Sequence, residues 1–585
     1  MTAQDASRVP RFGREFFGAG ETFTRIGAGA LGGKASGLDL VRSRILNRLD
    51  TGAFPGLEVC VPTLTVLTTA VFDAFVQRGE LRAVVASEPP DDRLAHAFQQ
   101  TALPAEFVGD LRALIAQVRS PLAVRSSSLL EDALEHPFAG VYGTKMIPNN
   151  QADVDARFQR LTEAVKYVYA STYFRGARHY VRSVGQDPEG AEKMAVIVQE
   201  VLGRRQGDRF YPTVSGVARS YNYYPTGHAR PTDGVVSLAL GLGKQIVDGG
   251  LSWSFALPYP NAPPPFGDAR DVLRNTQKRF YAVNIGRPPL PDPIRETEFL
   301  VHPGLDVAES DGTLRWLAST YDPQSDAFRP GVQGRGARAL TFAPLLRGGT
   351  VPLVPALRQL VELSEEAVGA PVELEFALNL DPRRALPARL GFLQVRPMMV
   401  TDARVAVEEA DLSAPDVVVA STRVMGNGER FDLHDVIYLK PGAFVARHTP
   451  EIARELEAVN RQLTEGGRPY VLIGFGRWGS SDPWLGVPVE WAQINGARVI
   501  VEAALPNMNP DPSQGSHFFH NLISFRVLYL TVPNGDGGRV DWAWLDARPA
   551  RSESAFVRHV HVTRPLAARV DGRQGRGVVT HGGTD

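Results

Sequence analysis

The sequence predicts an α/β chain (α+β in its first part) with more than one domain, and three observations carry that prediction. At 585 residues the chain is too long for one hydrophobic core, which argues for two to four domains. Apolar runs of strand length, such as "MAVIVQEV" and "VVSLALG", alternate with amphipathic stretches of helical period. An acidic stretch, "TDARVAVEEADLSAPD", then separates a long first part from a shorter α/β second part. The expected domains are 1–402, a linker at 403–416, a second domain at 417–550, and a partly disordered tail at 551–585, whose last twenty or so residues, "PLAARVDGRQGRGVVTHGGTD", are Gly- and Arg-rich and fray.

The elements follow in order. "RIGAGALGGKASGLDLVRSRIL" opens on glycines and runs into a helix from about Ala35. "FPGLEVCVPTLTVLTTAVFDAFV" reads as a strand, a break at Pro62, a second strand and a helix. Asp153 to Phe174 is the clearest helix: Val154, Phe158, Leu161, Val165 and Val168 draw one apolar stripe. "EKMAVIVQEVL" is a buried strand, with "TVSGVARSYNYY" as its antiparallel neighbour. "DGVVSLALGLGKQIVDGG" is a strand ending in a glycine loop, and the proline-rich span from Pro258 to Asp292 is a surface excursion. "PVELEFAL" and "LGFLQVRPMMV" form a hairpin. No internal repeat is present.

Composition excludes several function classes. Hydrophobic content of 43% and charged content of 22% are those of a globular protein. A net charge of -1 gives no electrostatic case for nucleic acid or an anionic membrane, so a bound anion must be held by a local site. The single cysteine, Cys60, cannot form an intramolecular disulfide or a multi-thiolate metal site, and "LEVCVPTL" reads as packing. The N-terminus lacks the apolar core of a secretory signal. No window offers about 18 uninterrupted apolar residues. A cytoplasmic protein is expected.

The hairpin carries the most chemistry. Residues two apart on a strand share a face, so Glu373 and Glu375 point one way in "VELEF" and Gln394 with Arg396 share a face in "LQVRP". Pairing the strands yields one apolar face and one face of carboxylates, an amide oxygen and a guanidinium. Such oxygens suit Mg²⁺ beside substrate phosphates, and the arginine suits a transferring phosphoryl group. The plainer alternative is a solvated face with a cross-strand Glu-Arg pair. Upstream, "GAGALGGKASG" sets Lys34 just inside a helix, where backbone N–H groups favour phosphate. It is not a Walker A loop, because Ala35 follows the lysine. "AVRSSS" ends a strand with Arg125, Ser126 and Ser127.

Seven segments occur in one order over nearly 400 residues: "GGKASGLDLV", "AVRSSSLLEDALEHPFAG", "MAVIVQEV", "SGV", "LGLGKQIVDG", "ELEFAL" and "LQVRPM". This order resembles the nucleotide-binding domain of the pyruvate, phosphate dikinase and phosphoenolpyruvate synthase family. The resemblance implies an ATP-grasp fold over 1–402, with Lys34 and Arg125 on ATP phosphates. It makes Glu375 and Gln394 the Mg²⁺ ligands and Arg396 the group that neutralises the transferring phosphoryl. Gln199, Glu200 and Val201 would form the hinge that meets adenine through backbone atoms. Gly140 and Gly143 would let a covering loop approach the phosphates. One departure is "GLGK", where Lys244 stands in place of a common acid.

The family's mobile domain carries a phosphate-accepting histidine, but its usual motif is missing here. "GARVIVEAALPNMNPDPSQGSHFFHNLISFRVLYLTV" nevertheless runs strand, loop, Gly-Ser-His, helix, strand. "GERFDLHDVIYLKPGAF" resembles an entrance strand of that domain. His517 would be the phosphoacceptor, helped by Ser516, since neutral imidazole is a competent nucleophile. Phe518 and Phe519 replace the usual small residues, so a structural role for His517 and His520 stays open. "YVLIGFGRWGSSDPWLG" contains a literal G-x-G-x-x-G, yet Gly486 and Pro488 interrupt any following helix, which argues against dinucleotide binding. Arg477, Trp478, Ser480, Ser481 and Asp482 could line an acceptor pocket; packing of Trp478, Trp484 and Trp491 is the alternative.

The expected function is ATP- and Mg²⁺-dependent phosphotransfer to a histidine or directly to a small-molecule acceptor of unknown identity. No nucleic-acid or membrane partner is expected, and a homodimer is allowed. The family's phosphoenolpyruvate/pyruvate barrel needs on the order of 250 residues, for which there is no room. Two alternatives stand: an ATP-dependent ligase working through an acyl-phosphate type intermediate, and a non-catalytic ATP-binding regulatory module.

Overall fold

The structure is a computed structural model. It describes residues 8–582 apart from 14–21, 79–80, 130, 132–139, 184–192, 263–265, 267, 350, 382–386, 401–404, 481, 483, 506–516 and 536. Strands and helices mix throughout, as an α/β reading requires. The chain divides into two units: Met1–Ser220, Val235–Gln245 and Ser252–Met398 form the first, and Tyr221–Gly234, Ile246–Leu251 and Met399–Asp585 the second.

The first unit is built on two main sheets. One has five strands in the order Phe23–Ile26, Leu64–Leu67, Met194–Glu200, Leu122–Ser128, Thr144–Ile147. Its middle strand, "MAVIVQE", is buried at its first six positions; an unbroken apolar run is what a strand covered on both faces needs. Helix Val154–Ser171 packs nearby, started by Asp153, whose carboxylate accepts from the N–H groups of Asp155 and Ala156. Such a cap contributes about 1 kcal/mol. Leu161, Val165 and Val168 on its stripe are fully buried, and Tyr169 joins Phe72 and Phe75 with ring centroids 5.2 and 5.5 Å apart.

The other sheet has six strands, in the order Trp253–Phe255, Val235–Ala239, Val214–Arg219, Val372–Asn379, Ala388–Pro397, Leu57–Cys60. Helix Leu353–Val368 lays Leu353, Leu357 and Leu360 on its core. Each such leucine withdrawn from water contributes about 2 kcal/mol. Smaller sheets flank these two, and among the described residues none closes into a barrel.

Two expectations need correction here. "TVSGVARS" does not pair with Met194–Glu200; it lies in the six-stranded sheet between Val235–Ala239 and Val372–Asn379. The intervening residues fold into a separate hairpin, Arg204–Gln206 with Arg209–Tyr211, turning at Gly207 (φ 57°), and this carries the chain into the other sheet. The proline-rich span is also more than an excursion. Its short apolar segment buries Phe280 and Ala282 completely, and Ala282–Asn284 pairs with Arg209–Tyr211.

The second unit is organised by four parallel strands in sequential order: Asn427–Leu439, Tyr470–Phe475, Ala497–Ala503 and Leu528–Val532. Helix Thr449–Glu465 crosses between the first two, and helix His517–Ser524 between the last two. Antiparallel strands extend this into a ten-stranded sheet.

The tail was expected to fray, and it does not. Val557–Asp571 pairs with Asn427–Leu439, and Arg576–Thr580 with Val417–Ser421. The glycines and arginines of "DGRQG" form the turn between two strands, and Val560, Val570, Val578 and Val579 are buried. The 403–416 stretch is likewise more than a linker, since Val407 packs with Val417, Ala420 and Val578. No helix among the described residues is long and apolar enough to cross a membrane. Cys60 is half-buried rather than enclosed, and accepts from Arg389 at 3.6 Å. Burial pushes its thiol upward despite that arginine, so it remains protonated near neutrality.

Candidate functional site

The hairpin forms with the register that alternation demands: Glu373 opposite Arg396, and Glu375 opposite Gln394, with a bulge after Glu375. Strand Val214–Arg219 lies on the other side, placing Arg219 opposite Glu373. The Glu373 carboxylate is thus held by Arg219 Nε at 2.5 Å and Arg396 Nε at 2.8 Å. All three side chains are buried to 2% exposure or less. A buried carboxylate needs such compensation. Arg396, expected to face a transferring phosphoryl group, is therefore committed to Glu373, with its guanidinium 4.0 Å from Glu375.

Arg125 reaches the hairpin from the other sheet. It sits in the middle of Leu122–Ser128, and its guanidinium donates to Leu393 O at 2.8 Å and Gln394 Oε1 at 3.0 Å. Glu375 Oε2 and Gln199 Oε1 lie at 3.4 Å. Three residues singled out in the sequence, Gln199, Glu375 and Gln394, thus meet on the Arg125 side chain. Glu375 and Gln394 offer one carboxylate and one amide oxygen to the same cation, here a guanidinium. That donor set also fits a hard divalent cation such as Mg²⁺.

Lys34 is the second residue of helix Gly33–Leu40. Its Nζ donates to Glu131 Oε1 at 2.7 Å and to Ser126 Oγ at 3.2 Å. Ser127 Oγ accepts from Ala35 N at 3.0 Å and donates to Leu31 O at 2.8 Å, so it caps the helix from a distant strand. The glycines make this closeness possible. A Cβ on Gly32 (φ 77°) would lie 1.7 Å from Ser127 O, and one on Gly33 1.8 Å from Glu131 O. Gly37 likewise passes close to Val395 O.

Glu131 and Arg219 were missed as site residues. For Glu131 the signal was present: Ser128-x-x-Glu131 is a capping-box pattern. Ser128 N donates to Glu131 Oε2 at 2.9 Å, and Glu131 N to Ser128 Oγ at 3.2 Å. Arg219 left no local signal, since its partner lies 154 residues away. Across these segments four basic side chains face three acidic ones, which leaves an excess of positive charge for an anion.

Other expected positions have partners within the fold. Val201 N donates to Pro121 O and Glu200 N to Thr63 O, both at 2.9 Å. The N–H groups of Glu200 and Val201 are therefore taken by neighbouring backbone, and the Gln199 side chain lies between Arg125 and Pro62 O. Gly143 is required by packing: a Cβ there would lie 2.6 Å from the Tyr167 ring, and its N–H bonds Ser171 Oγ. Gly140 has a φ of 68° in an exposed turn; residues 132–139 of the covering loop lie outside the described residues. Lys244 pairs with Glu296 at 3.3 Å.

In the second unit His517 opens the helix after strand Ala497–Ala503. That connectivity places it beyond the carboxyl ends of the parallel strands, where open α/β sheets present ligands. Ser516 and Ser481 lie outside the described residues. His520 is buried, and Arg477 donates to Gly249 O at 2.9 Å. The G-x-G-x-x-G segment leads into strand Arg477–Trp478, paired with Gly486–Val487, and not into a helix. The tryptophans split: Trp478 and Trp491 are core, whereas Trp484 is 75% exposed.

A titratable cluster lies on the first long strand of the expected tail. His559 and His561, on one face of Val557–Asp571, meet Asp435 Oδ1 at 2.7 and 3.1 Å, and Arg468 Nε meets Asp435 Oδ2 at 3.0 Å. Burial alone would raise the Asp435 carboxyl, but the bonds from His559, Arg468 and His561 outweigh it and hold it well below the usual range.

Arg125 thus joins the two sheets through Leu393, Gln394 and Glu375, and Lys34 meets the same strand as Arg125 at Ser126. A family model described as pyruvate phosphate dikinase, AMP/ATP-binding domain matches residues 28–415, a span containing every member of the Lys34–Arg125–Glu375–Gln394–Arg396 set. The chain belongs to that family. No curated protein matches it.

Proposed function

We propose that the chain is an ATP- and Mg²⁺-dependent phosphotransferase. Its first unit acts as an ATP-grasp domain, and its second either carries the phosphoryl group on His517 or receives an acceptor directly. The observation that supports this most is the meeting of Arg125, Glu375 and Gln394, from two sheets, beside Lys34.

In this reading Lys34 and Arg125 exchange their protein oxygens for phosphate oxygens when ATP arrives. Lys34 leaves Glu131, and Arg125 turns from Glu375 and Gln394, freeing those two oxygens. Mg²⁺ held by Glu375 and Gln394 would supply charge neutralisation across the phosphates. Arg396 acts as a positioning residue: together with Arg219 it fixes Glu373 and so the face on which Glu375 stands. A neutral His517 nitrogen would attack the β-phosphorus as the α–β P–O bond breaks, its electron pair leaving with AMP. Water would then attack the γ-phosphorus, breaking the β–γ bond, releasing inorganic phosphate and leaving the β-phosphoryl group on the histidine. Preorganised groups of this kind contribute about 10²–10³ in rate each.

The products test the reading. Incubation of the full chain with ATP and Mg²⁺, resolved by chromatography, should yield AMP and inorganic phosphate, dependent on the metal. ADP as the sole product would point to ligation through an acyl phosphate instead, and tight ATP binding with no nucleotide turnover in the presence of any acceptor to a regulatory module.

A further inference from the structure

Glu131 is a buried acid to which the proposed chemistry gives no part except to be left by Lys34. Its side chain is 2% exposed, and donors from three residues surround its carboxylate. Oε1 accepts from Lys34 Nζ at 2.7 Å and from Ser126 Oγ at 2.9 Å, and Oε2 accepts from Ser128 N at 2.9 Å. Lys34 Nζ also donates to Ser126 Oγ at 3.2 Å, which ties the ammonium and the hydroxyl together. An ammonium, a hydroxyl and a main-chain N–H converging on two oxygens make the donor set of an oxyanion site. Ser126 and Ser128 are fully buried, so the set is fixed in place.

The Glu131 main chain is held independently of its carboxylate. Glu131 N bonds Ser128 Oγ at 3.2 Å, and Glu131 O lies against Gly33, where a Cβ would sit 1.8 Å away. The carboxylate can therefore leave by rotation of its side chain alone, while the backbone stays against the helix that carries Lys34. Arg125, the residue before Ser126, also faces a carboxylate, that of Glu375 at 3.4 Å. The two acids differ in what a bound nucleotide asks of them. Glu375 stands beside Gln394 in an oxygen set that suits Mg²⁺. Glu131 stands among donors, where its charge and that of a phosphate exclude one another.

We propose that Lys34 Nζ, Ser126 Oγ and Ser128 N–H form a phosphate cradle whose resident occupant is the Glu131 carboxylate, and that Glu131 thereby selects which anions enter. A ligand takes the cradle when it brings more charge and more acceptor oxygens than one carboxylate. A phosphoryl group does so, with a charge of about −2 and three oxygens; chloride or a simple carboxylate does not. The ligand class is an oligophosphate. Its assignment to the phosphates of ATP rests on the phosphotransferase reading, and Glu131 is then the residue that sets nucleotide affinity.

The test is calorimetric titration of the full chain, in Mg²⁺, with the α,β-methylene analogue of ATP, which cannot release AMP, and with adenosine. Glu131→Gln keeps the size of the side chain and one acceptor oxygen, and removes its charge. It should tighten the analogue about tenfold, as deletion of one like charge at hydrogen-bond range does, and leave adenosine within about twofold. A further Ser126→Ala in Glu131→Gln should weaken the analogue about tenfold, the loss of one hydrogen bond to a charged group. In the parent chain tripolyphosphate should compete with the analogue, a result that needs no variant. Equal or weaker analogue binding by Glu131→Gln overturns the proposal, because Glu131 then holds Lys34 in place for the phosphate. An equal gain for adenosine, no effect of Ser126→Ala, or failure of tripolyphosphate to compete overturns it as well. Each of these leaves the nucleotide reading standing, whereas absence of analogue binding in both parent and Glu131→Gln removes the two together.

Discussion

Arg125→Ala should lower Mg²⁺-dependent ATP consumption by about 10²–10³-fold and leave the unfolding profile close to that of the parent. Arg125 touches both Glu375 and Gln394, so its loss removes a phosphate donor and also frees the two oxygens from their present spacing. Its own strand is held by main-chain pairing on both sides, to Met194–Glu200 and Thr144–Ile147, which is why the fold should stand. Arg125→Lys keeps the charge but loses the planar fork that serves several acceptors at once. It should recover less than a tenth of the lost rate. Steady-state ATP consumption of the three proteins, with circular dichroism of each, decides the matter. Activity of Arg125→Ala within about threefold of the parent would remove Arg125 from the machinery.

The largest expected effect on stability lies in the second unit. Asp435→Asn should destabilise it by about 3 kcal/mol or more. Asp435 is 1% exposed and accepts from His559, His561 and Arg468, so the amide leaves a guanidinium and a buried imidazole without their anion. His561→Gln should cost less than about 1 kcal/mol, because His561 is 40% exposed and screened. The pH dependence follows from the direction of the shift. A carboxyl depressed in the folded state contributes stability in full above the ordinary aspartate value, near pH 4, and loses it as the pH falls below. Five of the seven tryptophans belong to this unit, so the fluorescence-detected denaturant midpoint reports on it. The parent midpoint should fall below pH 4 more steeply than that of Asp435→Asn, and parallel profiles would contradict the assignment.

The hairpin was legible because a strand has period two. Once "VELEF" and "LQVRP" pair, the partners of Glu373 and Glu375 are determined by register. What alternation cannot show is which strand lies on the far side. Arg219 arrives there from 154 residues away, and it turns Glu373 and Arg396 from solvated groups into a buried network. The Lys34–Glu131 pair is hidden for the same reason, spanning 97 residues. Its glycines, by contrast, were readable as a close approach, although what approaches is the carbonyl of Ser127. Gly143 is required by the Tyr167 ring, and a glycine so required looks, in sequence, like one left open for a ligand. The tail was misjudged on composition: "RHVHVTRPLAARV" alternates, and "DGRQG" is a turn between strands, a signal that outweighs glycine and arginine content.

The most direct test of phosphotransfer is to incubate the full chain with Mg²⁺ and ATP labelled at the β-phosphate, and separately at the γ-phosphate. The predicted result is protein-bound label from the β-phosphate, acid-labile and alkali-stable, lost in His517→Ala and in Lys34→Ala. Label that persists in His517→Ala would move the carrier to another histidine. No label from either phosphate and no AMP, with ATP binding confirmed on the same sample, would contradict the histidine carrier and leave direct transfer, ligation or a non-catalytic role.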